Sequence, residues 1–306
     1  MALSAYLAGE VAEDFADGLL DRREALRRLG LLGVTLAGAS ALLAACGSTG
    51  GTGGVAATTA STAVSSPSPA AVPTTGPGAA GSGATIRFPG PAGELQAAWA
   101  APAGKAKAAV LVIHENRGLT PHFHDLVGRL AAQGYAALCV DLLSEEGGTA
   151  SLVDPAGAPT ALGAASEARL LGDLGAGIDE LGRRAPGVKV GAVGFCFGGA
   201  MAWKLVQEGE PRLAAVVPFY GPVPDPADFT RSKAAVLGVY GALDDRVNAS
   251  RDRAEAALTA AGLVHEIHTY DGADHGFFND TGARYNPQAA AAAWTALLAW
   301  FDRHLA

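Results

Sequence analysis

The chain has 306 residues, enough for one large domain with a sizeable core or for two small ones. Apolar residues make up 49% and charged residues 17%, a globular balance and not a disordered one. A net charge of −8 without a broad Lys/Arg-rich patch argues against nucleic acid as a partner, and three cysteines are too few for a disulfide framework.

Residues 1–46 read as an export signal. Arg22 and Arg23 begin a basic patch that Arg27 and Arg28 continue, and a charge-free apolar stretch follows from Leu29 to Ala45. That stretch is short and glycine-interrupted for a membrane-spanning helix, which wants about 20 apolar residues. Arg22-Arg23-Glu24-Ala25-Leu26-Arg27 resembles a twin-arginine signal, and Leu43-Ala44-Ala45-Cys46 resembles a lipobox, which would make Cys46 the lipidated residue. An ordinary buried amphipathic helix ending at Ala45 explains neither the charge-free core nor the switch to GSTGGTGG. The acidic residues 1–20 are unusually long for a leader.

Residues 47–83 contain Gly, Ser, Thr, Ala, Val and Pro and no charge. Such a composition cannot bury enough surface to offset its ordering entropy, so a disordered tether is expected. Together the two segments predict an exported protein, held by a lipid at the outer face of the cytoplasmic membrane or elsewhere in the periplasm or cell envelope.

Residues 84–306 alternate short β-rich runs with helical patterns. TIRF (85–88) and ELQAAWAAP (94–102) form a leading hairpin. AKAAVLVIH (106–114) has the continuous apolar character of a parallel strand covered on both faces. A helix follows over 121–133, opened by Pro121, then a strand YAALCVD (135–141), a helix over 165–183, a strand VKVGAV (188–193) and a helix over 198–208. LAAVVPFY (213–220), AAVLGVYG (234–241) and VHEIHTY (264–270) are further strands, with a helix over 250–261 and a closing helix over 287–304. The alternation predicts an α/β fold, a doubly wound, mostly parallel sheet flanked by helices.

Within that order, Gly194-Phe195-Cys196-Phe197-Gly198 fits the strand–turn–helix elbow of α/β-hydrolases, G-x-nucleophile-x-G. The turn strains the nucleophile's backbone, glycines at its flanks avoid collisions, and the following helix N-terminus favours a thiolate. An acid and a histidine should follow in that order. Asp244 and Asp245 fall on the loop after AAVLGVYG, and His275 on the loop after VHEIHTY. Histidine would take the thiol proton, and an aspartate would fix its tautomer.

These residues resemble the dienelactone hydrolase family over about 95–304, in VIHENRGL, GYAALCVDLL, VGFCFGGAMAW, VVPFYG, VYGALDDRV and DHGFFND. The resemblance implies an ester or lactone hydrolase of the carboxymethylenebutenolidase type, with Cys196 as nucleophile, Asp244 as the acid and His275 as the base. It implies that Glu115 contacts the resting cysteine and moves when substrate binds, which would keep the thiol quiet. The oxyanion hole is expected from the backbone N–H groups of Asn116 and Phe197. In the best-known members an arginine four residues beyond the histidine holds the substrate carboxylate. Here that position is Asn279, so the bidentate clamp is missing. Arg117, Tyr220 and Asn279 are the candidate substrate-binding residues, and the segment 143–164 is expected to border the pocket.

No cofactor or metal is called for: His122 and His124 are two residues apart and do not share a helical face. Cys139 reads as a small buried hydrophobe, and a Cys139–Cys196 disulfide would consume the nucleophile. Phe195, Phe197, Trp203, Phe277 and Phe278 either line an apolar pocket or fill the core. The competing function is a surface lipoprotein that binds ligands on a hydrolase scaffold without turnover.

Overall fold

The computed structural model describes residues 3–16, 18–47 and 82–305. The expected tether over 47–83 lies almost entirely outside them. Three helices come first: α1 (Leu3–Ala16), α2 (Arg22–Leu31) and α3 (Leu36–Gly47). The apolar stretch 29–45 is therefore broken, at a turn where Gly33 takes φ 78°. Cys46 falls in α3, with its side chain outside the described residues. Among the described residues no helix is long and apolar enough to cross a membrane.

One sheet of eight strands organises the rest, in the order β1-β2-β4-β3-β5-β6-β7-β8. β1 (Ala84–Pro89) and β2 (Glu94–Ala100) form the expected hairpin, and β2 runs antiparallel to β4 (Tyr135–Val140). β3 (Ala108–Ile113), β4, β5 (Val190–Phe195), β6 (Leu213–Phe219), β7 (Ala235–Gly241) and β8 (His265–Tyr270) pair in parallel. Every residue of β3, β4, β5 and β7 is buried, which is why those segments read as unbroken apolar runs. β8 lies at the edge, half-buried, and carries polar residues at four of its six positions accordingly.

Helices α4 (Pro121–Ala132), α6 (Glu167–Arg184), α7 (Phe197–Glu208), α9 (Arg251–Ala260) and α10 (Pro287–Leu305) lie within a residue or two of their expected bounds. Two short ones, α5 (Ala158–Ala164) and α8 (Asp245–Asn248), lie in segments read as loops. The aromatic cluster belongs to the core: Phe195, Phe197, Trp203 and Phe277 are fully buried, and Phe195 stacks on Phe278 at 5.2 Å. Cys139 is likewise buried and, like Cys196, is a free thiol.

Candidate active site

The turn between β5 and α7 carries Cys196 at φ 56°, ψ −115°, a left-handed backbone that a residue with a Cβ adopts only under strain. Glycine is obligatory on both flanks. A Cβ on Gly194 would sit 2.0 Å from the Gly198 carbonyl oxygen, and one on Gly198 would sit 2.2 Å from the Ile113 carbonyl oxygen. The close approach of β5, α7 and the end of β3 puts the sulfur beside the segment 114–117.

Asp244 and His275 arrive from the ends of β7 and β8. The His275 Nδ1–Asp244 Oδ2 separation is 2.6 Å, and both residues are buried. The other carboxylate oxygen of Asp244 accepts the Val247 N–H at 3.0 Å, capping α8 and fixing the orientation of the carboxylate. The adjacent Asp245 is exposed. Cys196, His275, Glu115, Arg117 and Asn279 line one cavity of about 380 Å³.

The expected thiol-to-Glu115 contact is not the one formed. The Glu115 carboxylate instead accepts from the Tyr220 hydroxyl at 3.2 Å and from Asn279 Nδ2 at 2.7 Å, so Asn279 and Tyr220 act together as its holders. Two donors within reach outcompete a weak thiol donor. Arg117 is exposed at the cavity rim. Phe197 opens α7, where helix geometry leaves its N–H without an intrahelical acceptor. Asn116, on the segment after β3, lines the same cavity.

Three further residues shape the site without having been singled out in the sequence. His114, fully buried, hydrogen-bonds the Glu115 carbonyl through Nδ1 at 2.7 Å and accepts the Leu142 N–H on Nε2 at 3.0 Å. Those partners select the neutral Nδ1–H tautomer, and burial lowers its pKa in the same sense. The ring thereby pins the backbone that carries Glu115 and Asn116. The segment 143–164, expected at the pocket, contributes no residue to the lining of that cavity among the described residues; its Thr149 hydroxyl accepts the Leu119 N–H at 2.8 Å and so braces the segment that follows Arg117.

The other two come from α1. Glu10 Oε2 stands 3.5 Å from Cys196 Sγ and 3.2 Å from His275 Nε2, the second an ion contact without hydrogen-bond angles. The Tyr6 hydroxyl is 3.4 Å from the same sulfur. Burial, then the Glu10 charge, push the Cys196 thiol up to about 11, against the opposing pull of His275. Burial opposes the charged imidazole, but Glu10, Cys196 and Asp244 together raise the His275 pKa well above its usual value. Burial likewise disfavours the Glu10 carboxylate, and the His275 and Arg246 charges outweigh it and hold the carboxyl low. One atom each from Glu10, Cys196 and His275 lie within 4.8 Å of one another, a donor set that suits zinc only by consuming sulfur and imidazole.

The sequence profile of the dienelactone hydrolase family matches residues 95–305. A Synechocystis protein named as a carboxymethylenebutenolidase is 34% identical over 216 residues, covering 64% of this chain and 86% of its own length. The crystal structure of a Klebsiella pneumoniae protein named as a dienelactone hydrolase superposes with a TM-score of 0.65 at 28% identity, over 72% of this chain and 98% of that one. An acylaminoacyl peptidase from Pyrococcus horikoshii is 15% identical with a TM-score of 0.55, over 72% of this chain and 41% of its own, and shares the α/β-hydrolase fold alone. With the family's motifs on one mostly parallel sheet and its profile matched over most of the length, the chain is a hydrolase and belongs to the dienelactone hydrolase family.

Proposed function

We propose that the chain hydrolyses an ester or lactone through Cys196, His275 and Asp244 by way of an acyl-thioester. The observation that carries this reading is the buried 2.6 Å contact of Asp244 with His275 Nδ1, in the cavity that also holds the strained Cys196. His275 Nε2 takes the thiol proton as Sγ attacks the carbonyl carbon. The Phe197 and Asn116 N–H groups receive the charge that develops on oxygen. When the tetrahedral intermediate collapses, the carbon–oxygen ester bond breaks and the alkoxide takes the proton from His275. In a lactone the resulting alcohol stays attached to the acyl group. Water then loses a proton to Nε2 and attacks the thioester carbonyl. The carboxylic acid leaves, and the proton returns to sulfur. Asp244 keeps the second ring nitrogen protonated and stabilises the cation in both halves.

Glu115, held by Tyr220 and Asn279, lies close enough to oppose thiolate formation and is the carboxylate we assign to substrate-dependent control of the sulfur. The test is turnover of p-nitrophenyl acetate and of a small panel of lactones. Cys196→Ala and His275→Ala should each abolish it, and turnover that survives Cys196→Ala assigns the wrong nucleophile.

We also propose that the chain is exported and lipidated at Cys46, so that the enzyme works at a membrane surface. The supporting features are the Arg22–Arg23 pair at the start of α2, the uncharged run to Ala45 and the following low-complexity segment. Labelled palmitate that fails to incorporate at Cys46 refutes this.

A further inference from the structure

Helix α1 takes no part in the chemistry just proposed, yet it touches both reacting side chains. An ester carbonyl attacked by Cys196 needs the space in front of the sulfur, within reach of His275 Nε2. Glu10 and Tyr6 stand in it, at 3.5 Å and 3.4 Å from the sulfur, and leave Cys196 only 4% exposed on the wall of the cavity described above. The helix is anchored as well as inserted. Arg246 pairs with both Glu10 and Glu13, and its guanidinium lies 4.8 Å from the Tyr6 ring centroid. Arg284 meets Asp14 at 3.2 Å, and Leu7 is fully buried in the hydrophobic core of the main domain. Backbone and anchor also meet closely, since a Cβ on Gly9 would lie 3.4 Å from the Arg246 side chain.

We propose that α1 is an intramolecular plug of the active site: with Glu10 and Tyr6 seated, no ester or lactone reaches Cys196. This rests on Cys196 being the nucleophile. Electrostatics supports the steric block. A carboxylate beside both sulfur and imidazole favours a protonated ring and a protonated thiol, a pair that can neither give nor take the proton the first step requires. Tyr6 also walls a second cavity of about 220 Å³, lined by Met201, Lys204 and Val223 among others. Withdrawing the helix opens that cavity toward Cys196 as well. Because α1 lies ahead of Cys46, processing at the proposed lipobox would remove the plug together with the leader.

The experiment uses the full chain and two readouts: the rate of Cys196 alkylation by iodoacetamide, followed by peptide mass, and kcat/KM on p-nitrophenyl acetate. Leu7→Asp, which places a charge under the helix, should raise both by about tenfold or more, because apparent affinity scales with the fraction of molecules whose site is open. Glu10→Gln should raise both by less. Should Leu7→Asp not fold, the double variant Glu13→Gln, Asp14→Asn removes only anchoring ion pairs at the rim and is expected to act in the same direction. Alkylation equally fast in wild type and variants overturns the plug. So does a fall in kcat/KM for Glu10→Gln, which would make Glu10 a participant in the reaction. Faster alkylation without hydrolysis in any variant supports the plug and removes the proposed esterase function, so the two readings fail separately.

Discussion

Asp244→Asn is the most informative single change at the proposed catalytic centre. The substitution is nearly isosteric, and the Val247 N–H, which now bonds Oδ1 at 3.0 Å, should keep the amide oxygen of asparagine on that side. The amide nitrogen then faces His275 Nδ1 across the present 2.6 Å contact. Nδ1 must become an acceptor, so the ring proton moves to Nε2, the nitrogen that should receive the thiol proton. The imidazolium formed during attack also loses its counter-charge. With charge centres about 4 Å apart and an effective dielectric near 20, that attraction is worth about 4 kcal/mol. If it acts fully in the transition state, kcat/KM should fall by about 10³. The assay is p-nitrophenyl acetate hydrolysis in wild type and variant, compared within one background so that occupancy of the site by α1 cancels. A fall smaller than about tenfold, with an unchanged melting temperature, refutes the assignment of Asp244 as the acid partner.

Three other outcomes follow from the same geometry. With burial and Glu10 holding the Cys196 thiol up at about 11, alkylation of the full chain should climb steadily through the alkaline range. Glu10→Gln should bring the plateau to lower pH, and a wild-type plateau near neutrality contradicts the charge arrangement. Buried Asp173, whose carboxyl burial lifts to about 6 against the opposing charge of Arg169, is favoured in its neutral form in the fold, so stability is lost as pH rises from about 4, its unfolded value, through 6. Asp173→Asn should therefore raise Tm by about 2–4 °C in mild alkali and leave it unchanged in acid; the reverse order in a thermal melt counts against this. Finally, Gly194→Ala forces a Cβ to within 2.0 Å of a backbone oxygen and should yield no folded protein, whereas Gly182→Ala in α6 meets nothing within 4 Å and should be neutral or stabilising by up to about 1 kcal/mol. Soluble expression and melting of the pair decide it.

The sheet and its helices were legible in the sequence because burial writes itself there. β3, β4 and β5 are covered on both faces and read as unbroken apolar runs, while the half-buried edge β8 mixes polar residues with apolar ones. The elbow was legible for a related reason, since the packing of β5 against α7 leaves no room for a side chain at 194 or 198. The choice between Asp244 and Asp245 rested on resemblance, and the structure separates them by burial. What the sequence hid were contacts between distant segments. Glu10, Glu13 and Asp14 look like solvated helix charges until Arg246 and Arg284 fold beneath them. Nor does anything local announce that Glu115 would turn to Tyr220 and Asn279, donors that lie 105 and 164 positions away. Helices α5 and α8 were missed because each is too short to show a period.

That α1 and the pocket it occupies belong to one polypeptide has a kinetic corollary. Occupancy of the pocket is a unimolecular equilibrium, indifferent to how much protein a compartment holds, and a helix that swings out remains tethered and returns. A single peptide-bond cleavage anywhere between residues 17 and 81 changes the molecularity: the fragment becomes a dilute competitor that diffuses away. Such a catalyst would be switched on once, by a cut, and could not be switched off again by dilution, crowding or time.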